Sequence, residues 1–270
     1  MVKLNIANTT IPLSIERKVY RILINHGAYH KLSHSEKKDL ERIFKRQKIV
    51  PRFLSFDQIL SIRNSLLRQK AISRTRSMER KAKAIYRLYM KTTDIVKVAK
   101  QFKFPPVGTF RIMLKGAGHS SLQIKNIIKF PERYLNSFDY KQLLRADKYE
   151  FVSPMFENAN KIKAEADKFE RKIYKRLKEL KVQFKTEEDL VIAQTRKYGR
   201  PIYTPDALVL SNLIINGRRI SWIDAKNFYA IPMAYVKRSM KKQSAKYNKR
   251  FGNGVFIMSQ GHARNLSSVN

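Results

Sequence analysis

The sequence lacks cysteine, and it is poor in acidic residues, in tryptophan and in long apolar runs. The absence of cysteine excludes disulfide bonds and thiolate metal sites. No apolar run approaches the roughly 18 residues that indicate a membrane span, and there is no lipidation motif. The first residues also lack the apolar core of a signal peptide. We therefore expect an intracellular protein, in the nucleus or the cytoplasm, with no membrane partner.

Positive charge dominates what is present. The 270 residues include 57 Lys and Arg against 21 Asp and Glu, a formal net charge of +36. This charge is far larger than solubility requires, and such a surface attracts polyanions. Contacts with nucleic-acid phosphates release counterions and add salt-dependent affinity, so we expect nucleic acid, with DNA favoured, as the partner. A basic proteome whose AT-rich codons favour lysine is the alternative explanation.

The chain changes character near residues 150 to 157. Before this point, apolar residues recur at helical spacing, for example behind Ser14 and Ser55, which are typical N-cap residues. After it, the pattern alternates in the order helix, strand, helix, strand, strand, helix, strand. The sequence thus predicts a helical, nucleic-acid-binding region over residues 1–150 and a mixed α/β core over residues 151–270.

A helix-turn-helix is predicted within Thr92–Lys115. Thr93 is expected to cap a short helix, the segment Lys103–Pro106 breaks it, and a second helix follows. Plain packing of two short helices is the alternative. If the second helix enters a DNA groove, the residues presented to the bases and phosphates are Thr109, Arg111 and Lys115.

A β-hairpin and a basic helix are predicted in the second half. Asn216-Gly217 separates two apolar runs, which is the strongest short signal for a hairpin, and pairs Ile215 with Arg218. The segment 234–251 that follows predicts a basic helix, which we expect to contact the nucleic-acid backbone. The basic residues concerned are Lys237, Arg238, Lys241 and Lys242.

Two acidic residues lie in the apolar runs of this hairpin. Asp206 follows Pro205 at the start of one strand, and Asp224 lies beside Trp222 in the other. An ionised group in such surroundings needs a compensating partner or a metal ion. Together with Lys226, the two acids match the requirement of metal-assisted phosphodiester hydrolysis. A solvated turn is the alternative explanation for Asp206.

The strand register tests this hypothesis. Regular pairing would place Asp206 opposite Asn227 and on the face opposite Asp224, because neighbouring strand residues point to opposite faces. One extra residue in the first strand would instead place Asp206 opposite Lys226, with Asp224 as a diagonal neighbour. The hypothesis therefore predicts a bulge near Ser211-Asn212.

The segments Thr204-Pro205-Asp206 and Trp222-Ile223-Asp224-Ala225-Lys226 resemble the Thr-Pro-Asp family of the PD-(D/E)XK nuclease superfamily, which includes a nuclease partner of codanin. The resemblance covers residues 165–256 and, more loosely, the N-terminal half. It implies a helical region with helix-turn-helix features before a restriction-endonuclease-like core. It also implies a Mg²⁺- or Mn²⁺-dependent DNA endonuclease, with resolvase-like selectivity for DNA structure as one form of the activity.

The resemblance also implies roles for single residues. Asp206 and Asp224 match the metal-binding acids, although family members often have Glu where Asp224 stands, and Lys226 matches the catalytic lysine. The carbonyl of Ala225 and the helix acid Glu170 would complete the metal ligands. Gln243, one turn before Tyr247, matches a supporting catalytic residue. A catalytically inactive DNA-binding module and a regulatory protein-interaction module are the alternatives.

Overall fold

The computed structural model describes residues 1–6, 10–25, 29–150 and 157–266. The chain divides into two compact units, a sheet unit of Met1–Glu16 with Asn160–Asn270 and a helical unit of Arg17–Ala159. The predicted boundary is close to the observed one, although residues 151–156 lie outside the described part. The first sixteen residues differ from the prediction, because they belong with the sheet unit. A three-residue strand whose partner lies two hundred residues later carries no local signal.

Nine helices occupy the described residues before residue 151. Capping boxes at Ser33, Ser55 and Ser120 begin three of them, since each serine and the residue three positions later bond to each other's backbone N–H. Apolar side chains from several of the nine helices pack into a core that includes the fully buried Ile85 and Phe110. The helices are α1 Leu13–Asn25, α2 His34–Arg46, α3 Phe56–Glu79, α4 Ala82–Thr92, α5 Ile95–Phe102, α6 Pro106–Gly116, α7 Ser121–Lys129, α8 Pro131–Tyr134 and α9 Ser137–Tyr149.

The predicted pair of short helices is present as α5 and α6, which are joined by residues 103–105. The N-cap is Asp94, not Thr93, because the Asp94 carboxylate accepts hydrogen bonds from the N–H groups of Val96 and Lys97. Thr93 instead ends α4 in a left-handed conformation. None of the helices in the described part of the chain is long and apolar enough to cross a membrane.

The sheet unit confirms the predicted mixed α/β core. The sheet has the order β1-β3-β4-β5, with β2 beside the first half of β3. The pairs β1–β3 and β4–β5 are parallel, whereas β2–β3 and β3–β4 are antiparallel. The elements are β1 Val2–Leu4, α10 Glu157–Glu179, β2 Phe184–Thr186, α11 Glu187–Tyr198, β3 Ala207–Ile215, β4 Arg218–Lys226, α12 Ala234–Phe251 and β5 Gly254–Met258, followed by a short 3-10 helix Arg264–Leu266.

Helices cover both faces of this sheet. On one face, Leu177 of α10 packs in a cluster with Ala207 of β3 and Ile223 of β4. On the other face, Val236 and Met240 of α12 pack against side chains of β5. Ile223 faces α10, and strand side chains alternate between faces. Asp224 and Lys226 therefore lie on opposite sides of the sequence position of Ala225 but on the same face of the sheet, the face covered by α12.

The hairpin and its irregularity are confirmed, but the size of the bulge differs from the prediction. Ile215 pairs with Arg218, as predicted from Asn216-Gly217. Between the pairs Leu208↔Trp222 and Leu213↔Ile220, β3 contains four residues and β4 only one, so the bulge adds three residues and not one.

The neighbouring residue Gln183 holds this bulge in place. Its N–H donates to the hydroxyl of Ser211 at 3.1 Å, and its carbonyl accepts from the N–H of Leu210 at 2.8 Å. Three is an odd number, so three extra residues, like one, move the Asp206 side chain to the face of the sheet that carries Asp224. The register Ala207↔Ile223, continued by one residue, places Asp206 opposite Asp224 and not opposite Lys226 as predicted.

Candidate active site

Asp224 lies at the centre of the candidate site, on the face of β4 covered by α12. The residue is 1% exposed. Oδ1 contacts the ammonium group of Lys226, and Oδ2 accepts a hydrogen bond from the side-chain amide of Gln243. Gln243 belongs to α12, so the strand supplies the acid and the lysine while the helix supplies the amide.

Asp206 lies immediately before β3, where the pairing of β3 with β4 ends. Its Oδ2 accepts a hydrogen bond from the N–H of Ala225 at 2.6 Å. Its backbone carbonyl accepts from the Tyr174 hydroxyl at 2.8 Å and from the N–H of Glu187 at 3.1 Å. The Thr-Pro-Asp segment is thus held by three different elements, and a solvated turn does not describe it.

Packing around Trp222 holds the strand that carries Asp224. The indole N–H of Trp222 donates to Asn248 Oδ1 and to the Gly252 carbonyl, both at 3.0 Å. A Cβ on Gly254 would lie 2.0 Å from the indole ring, so only glycine permits β5 to approach this closely. The Tyr247 hydroxyl donates to the Thr204 carbonyl at 3.0 Å, which ties α12 to the Thr-Pro-Asp segment.

The two aspartates disfavour each other's ionisation. Burial, followed by the charges of Asp224 and Glu170, raises the pKa of Asp206 to about 7, against the opposing effects of the Ala225 N–H and Lys226. Burial also raises the pKa of Asp224, although Lys226 and Gln243 act in the opposite direction. At neutral pH the pair therefore resists carrying two negative charges unless a cation compensates them.

Two further carboxylates lie near this pair. Glu170 of α10 is half-buried, and its pKa is raised by burial and then by the charges of neighbouring acids, including Glu187 and Asp224. Glu187 is the first residue of α11, and its carboxylate accepts from the Thr204 hydroxyl at 3.4 Å.

Sequence reasoning missed Glu187 as a member of this site. Glu187 lies in the first turn of a helix that begins with the capping box of Thr186 and Asp189, where an acid is common because it interacts favourably with the helix dipole. The available signal was its position directly after β2, which pairs with the first residues of β3 beside Asp206.

The oxygen atoms around Asp206 and Asp224 are the candidates for binding a cation. In an extended strand the N–H and C=O of one residue point to the same side, so the carbonyl of Ala225 lies on the side of Asp206. The ammonium of Lys226 lies against Asp224 Oδ1. Within the described residues, no group of three or more His, Cys, Asp or Glu side chains is arranged to hold a metal ion.

The predicted nucleic-acid contacts differ in their exposure. Thr109 is fully buried and donates to the Pro105 carbonyl, so the prediction that it faces a groove is wrong. It lies on the core face of α6, which the short helix cannot present to a partner. Arg111 and Lys115 are exposed, and Lys115 pairs with Glu79 at 3.1 Å. On α12, Lys237 is half-buried, whereas the exposed residues are Arg238, Lys241 and Lys242.

Comparisons with known proteins detect the Thr-Pro-Asp motif, but the proteins they find have no known activity. A family model described as "Protein of unknown function TPD sequence-motif" matches residues 137–270. "Uncharacterized protein L539" of Acanthamoeba polyphaga mimivirus is 37% identical over 142 residues, which cover 51% of this chain and 47% of that protein. The chain therefore spans about half the length of this relative. No solved structure matches the chain. Residues 137–270 thus match the TPD sequence-motif family, whose function is unknown.

Proposed function

We propose that the sheet unit is a metal-dependent nuclease of the PD-(D/E)XK superfamily that hydrolyses phosphodiester bonds in DNA. The observation that carries the proposal is the three-residue bulge of β3, which places Asp206 opposite Asp224 and beside Lys226. Neither local turn geometry nor packing requires two acids and a lysine at this point of a sheet. A nuclear or cytoplasmic location is part of the proposal.

The electrostatics of the site support this function. Burial raises the pKa of both aspartates, and the charge of Asp224 also raises that of Asp206, in a chain with a formal net charge of +36. A divalent cation would compensate the carboxylates and would also reduce their repulsion of a DNA phosphate. The basic chain surface would attract the phosphate backbone towards a site that, without a cation, repels it.

The donor set fits a hard divalent cation such as Mg²⁺ or Mn²⁺. Such ions prefer carboxylate and carbonyl oxygens, which Asp206, Asp224 and Ala225 supply, and Glu170 is close enough for its pKa to respond to Asp224. Binding at Asp224 Oδ1 requires the ammonium of Lys226 to withdraw. A metal ion bound here supplies Lewis-acid stabilisation and an activated water.

The side chains of the chain have separate tasks in this proposal. Lys226, released from Asp224, places a positive charge where negative charge develops on the phosphate. Gln243 holds the orientation of Asp224 through its amide hydrogen bond. Tyr174 holds the backbone of Asp206, so the acid keeps its place at the end of β3.

Two groups of basic residues are proposed to contact the DNA backbone. The first lies on α12 and the second on the exposed side of α6. Removing one basic residue that neutralises a phosphate should lower the slope of log affinity against log salt by about 0.9. The residues are Lys237, Arg238, Lys241, Lys242, Arg111 and Lys115.

The test is cleavage of labelled linear, flap and four-way-junction DNA in Mg²⁺ or Mn²⁺. Wild type should cut at least one substrate, and Asp224→Asn and Lys226→Ala should not. Glu179→Gln and Lys178→Ala, on the exposed side of α10, are the matched controls and should cut like wild type.

The failures of this test have separate meanings. Salt-dependent binding of every substrate without cleavage would replace the proposal with a catalytically inactive DNA-binding module. The absence of any nucleic-acid binding would favour a regulatory protein-interaction module. Cleavage by Asp224→Asn at the wild-type rate would remove the site from the mechanism.

A further inference from the structure

The helical unit contains a cavity of about 280 Å³ that the nuclease proposal does not use. Its walls are largely aromatic and apolar, with contributions from the turn between α5 and α6 and from the end of α9. Tyr29 and Phe104 are buried and Tyr149 is half-buried. The apolar lining residues are Tyr29, Ala99, Phe104, Pro106 and Tyr149.

The aromatic walls are held by contacts within the helical unit. The rings of Tyr29 and Phe104 lie 6.5 Å apart at a tilt of 59°. The N–H of Lys31 donates to the Tyr149 carbonyl at 3.1 Å, and His30 forms a β-bridge with Glu150. The cavity therefore has walls that are fixed before a ligand arrives, which lowers the entropic cost of binding.

Three lysines and a histidine complete the lining. Lys70, Lys100 and Lys103 are exposed, and the ammonium of Lys100 lies 5.3 Å from the centre of the Tyr149 ring. His30 is already paired with Glu36 at 2.7 Å, so the lysines provide the net positive charge. Among the residues that the structure describes, no acid lines the cavity.

We propose that this cavity binds a single nucleotide, with the base against the aromatic walls and the phosphate at the lysines. A purely apolar ligand would make no use of the lysines, and a phosphate alone would make no use of the aromatic walls. Base stacking on aromatic rings combined with lysine contacts to phosphate is the common chemistry of single-strand recognition. The volume of about 280 Å³ is slightly below the roughly 300–1000 Å³ of pockets for drug-sized ligands, which suits one base.

The same chemistry has two possible sources, a free mononucleotide and an unpaired nucleotide within a strand. The experiment distinguishes them by calorimetric titration with dAMP and with inorganic phosphate, and by fluorescence anisotropy with labelled oligonucleotides. The oligonucleotides are a short thymidine strand, the same strand with abasic sites, a fully paired duplex and a duplex with one unpaired base. All measurements are made in EDTA, so cleavage does not contribute and the result is independent of Asp224.

The variants separate the ring from the charge. Tyr149→Ala should weaken binding by about five- to 150-fold, the range that corresponds to the loss of one stacked base, whereas Tyr149→Phe should bind like wild type. Tyr134→Ala removes an exposed tyrosine elsewhere in the helical unit and is the matched control. Retained binding by Tyr149→Phe would show that the ring matters and not the hydroxyl.

The lysines are tested by charge-matched double variants. Lys70→Ala with Lys100→Ala should lower the salt slope by about 0.7 for each phosphate that the protein no longer neutralises. Lys91→Ala with Lys97→Ala removes the same charge from exposed positions outside the cavity and should keep the wild-type slope.

Each outcome decides the proposal. Loss of dAMP binding in Tyr149→Ala supports a free-nucleotide site, and loss only with the single strand or the unpaired duplex supports recognition of an unpaired nucleotide. Equal binding of the thymidine and abasic strands, together with dAMP binding no tighter than inorganic phosphate, would overturn the proposal. So would the same weakening in Tyr134→Ala as in Tyr149→Ala, or in the two double variants.

Discussion

Two buried aspartates, Asp94 in the helical unit and Asp224 in the sheet unit, differ in what surrounds them. Asp94 is 7% exposed and accepts hydrogen bonds from two N–H groups of the helix that it caps. Its second oxygen pairs with Arg145 at 3.2 Å. Asp224 lies inside a strand where burial raises its pKa, and its charge in turn raises the pKa of Glu170 and Asp206.

The difference separates an acid that stabilises the fold from one that the fold tolerates. The local backbone explains Asp94 completely, because an N-cap needs an acceptor at that position. Nothing in the local backbone requires an acid at Asp224, and burial there disfavours its charge. A buried acid of the second kind indicates a site whose ligand is a cation, which is why the proposed function depends on Asp224 and not on Asp94.

The largest expected effect is a difference in DNA cleavage between variants of the two aspartates. Asp224→Asn should reduce metal-dependent cleavage by a factor on the order of a hundred or more, the loss typical of removing one group that stabilises transition-state charge. Asp94→Asn should leave cleavage per folded molecule unchanged, because it caps a helix in the other unit. Cleavage rates measured beside circular dichroism test both. Equal loss in the two variants would contradict the comparison.

Gly254→Ala tests how strongly the strand of Asp224 depends on long-range packing. The new Cβ would meet the Trp222 ring at 2.0 Å, so β5 must move away from β4. We expect a loss of about 1–3 kcal/mol in the free energy of unfolding, measured by urea denaturation. Gly118→Ala is the control, since its Cβ would meet nothing within 4 Å and only its positive φ adds strain. A smaller effect at Gly254 than at Gly118 would show that the strand does not depend on this contact.

Asp94→Ala tests the stabilising role of the helix cap. Loss of the two hydrogen bonds to the N–H groups of Val96 and Lys97 should lower the free energy of unfolding by about 0.5–2 kcal/mol. Asp57→Ala, at an exposed first-turn position of α3, is the control and should cost only a few tenths of a kcal/mol. Thermal denaturation of both variants gives the comparison, and an equal effect would remove the special role of Asp94.

The last prediction concerns the pH dependence of stability at Asp206. The folded state holds the Asp206 proton up to a pKa of about 7, above the ordinary value of 3.8. Between these values the unfolded state has released the proton and the folded state has not, so rising pH destabilises the fold. In EDTA, Asp206→Asn should therefore melt higher than wild type at pH 8, and the difference should shrink as the pH falls through this range and disappear only near the ordinary pKa of 3.8.

Asp189 provides a control of opposite sign. The N–H and hydroxyl of Thr186 lower the pKa of the Asp189 carboxyl, so its charge stabilises the fold above its ordinary pKa. Asp189→Asn should melt lower than wild type at neutral pH, with the difference lost in acid. Added Mg²⁺ should raise the melting temperature of wild type at pH 8 but not that of Asp206→Asn. The same pH profile in both variants would contradict the assignment.

The local features of the fold were predictable from neighbouring residues. Ser55 indicated a helix start, because a capping box involves only four neighbouring residues. Asn216-Gly217 fixed the hairpin turn, since both residues adopt positive φ. The apolar surroundings of Asp206 and Asp224 indicated the candidate site from the same kind of short-range pattern.

Other features depended on contacts between distant segments. The polar interruption near Ser211 predicted a bulge, but its size follows from hydrogen bonds with Gln183. Thr109 looked suitable for a DNA groove, yet the packing of α6 buries that face. Glu187 joined the site only because β2 pairs with β3.

The sequence by itself determined the elements, the charge and the pair of acids, because helix caps, turns and apolar periods depend on residues a few positions apart. Only the tertiary structure decided that β1 joins the sheet, that Asp206 faces Asp224, and that aromatic and lysine side chains enclose a cavity in the helical unit. The physical reason is that these arrangements are selected by packing and hydrogen bonding between segments far apart in the chain, for which no short pattern carries the information.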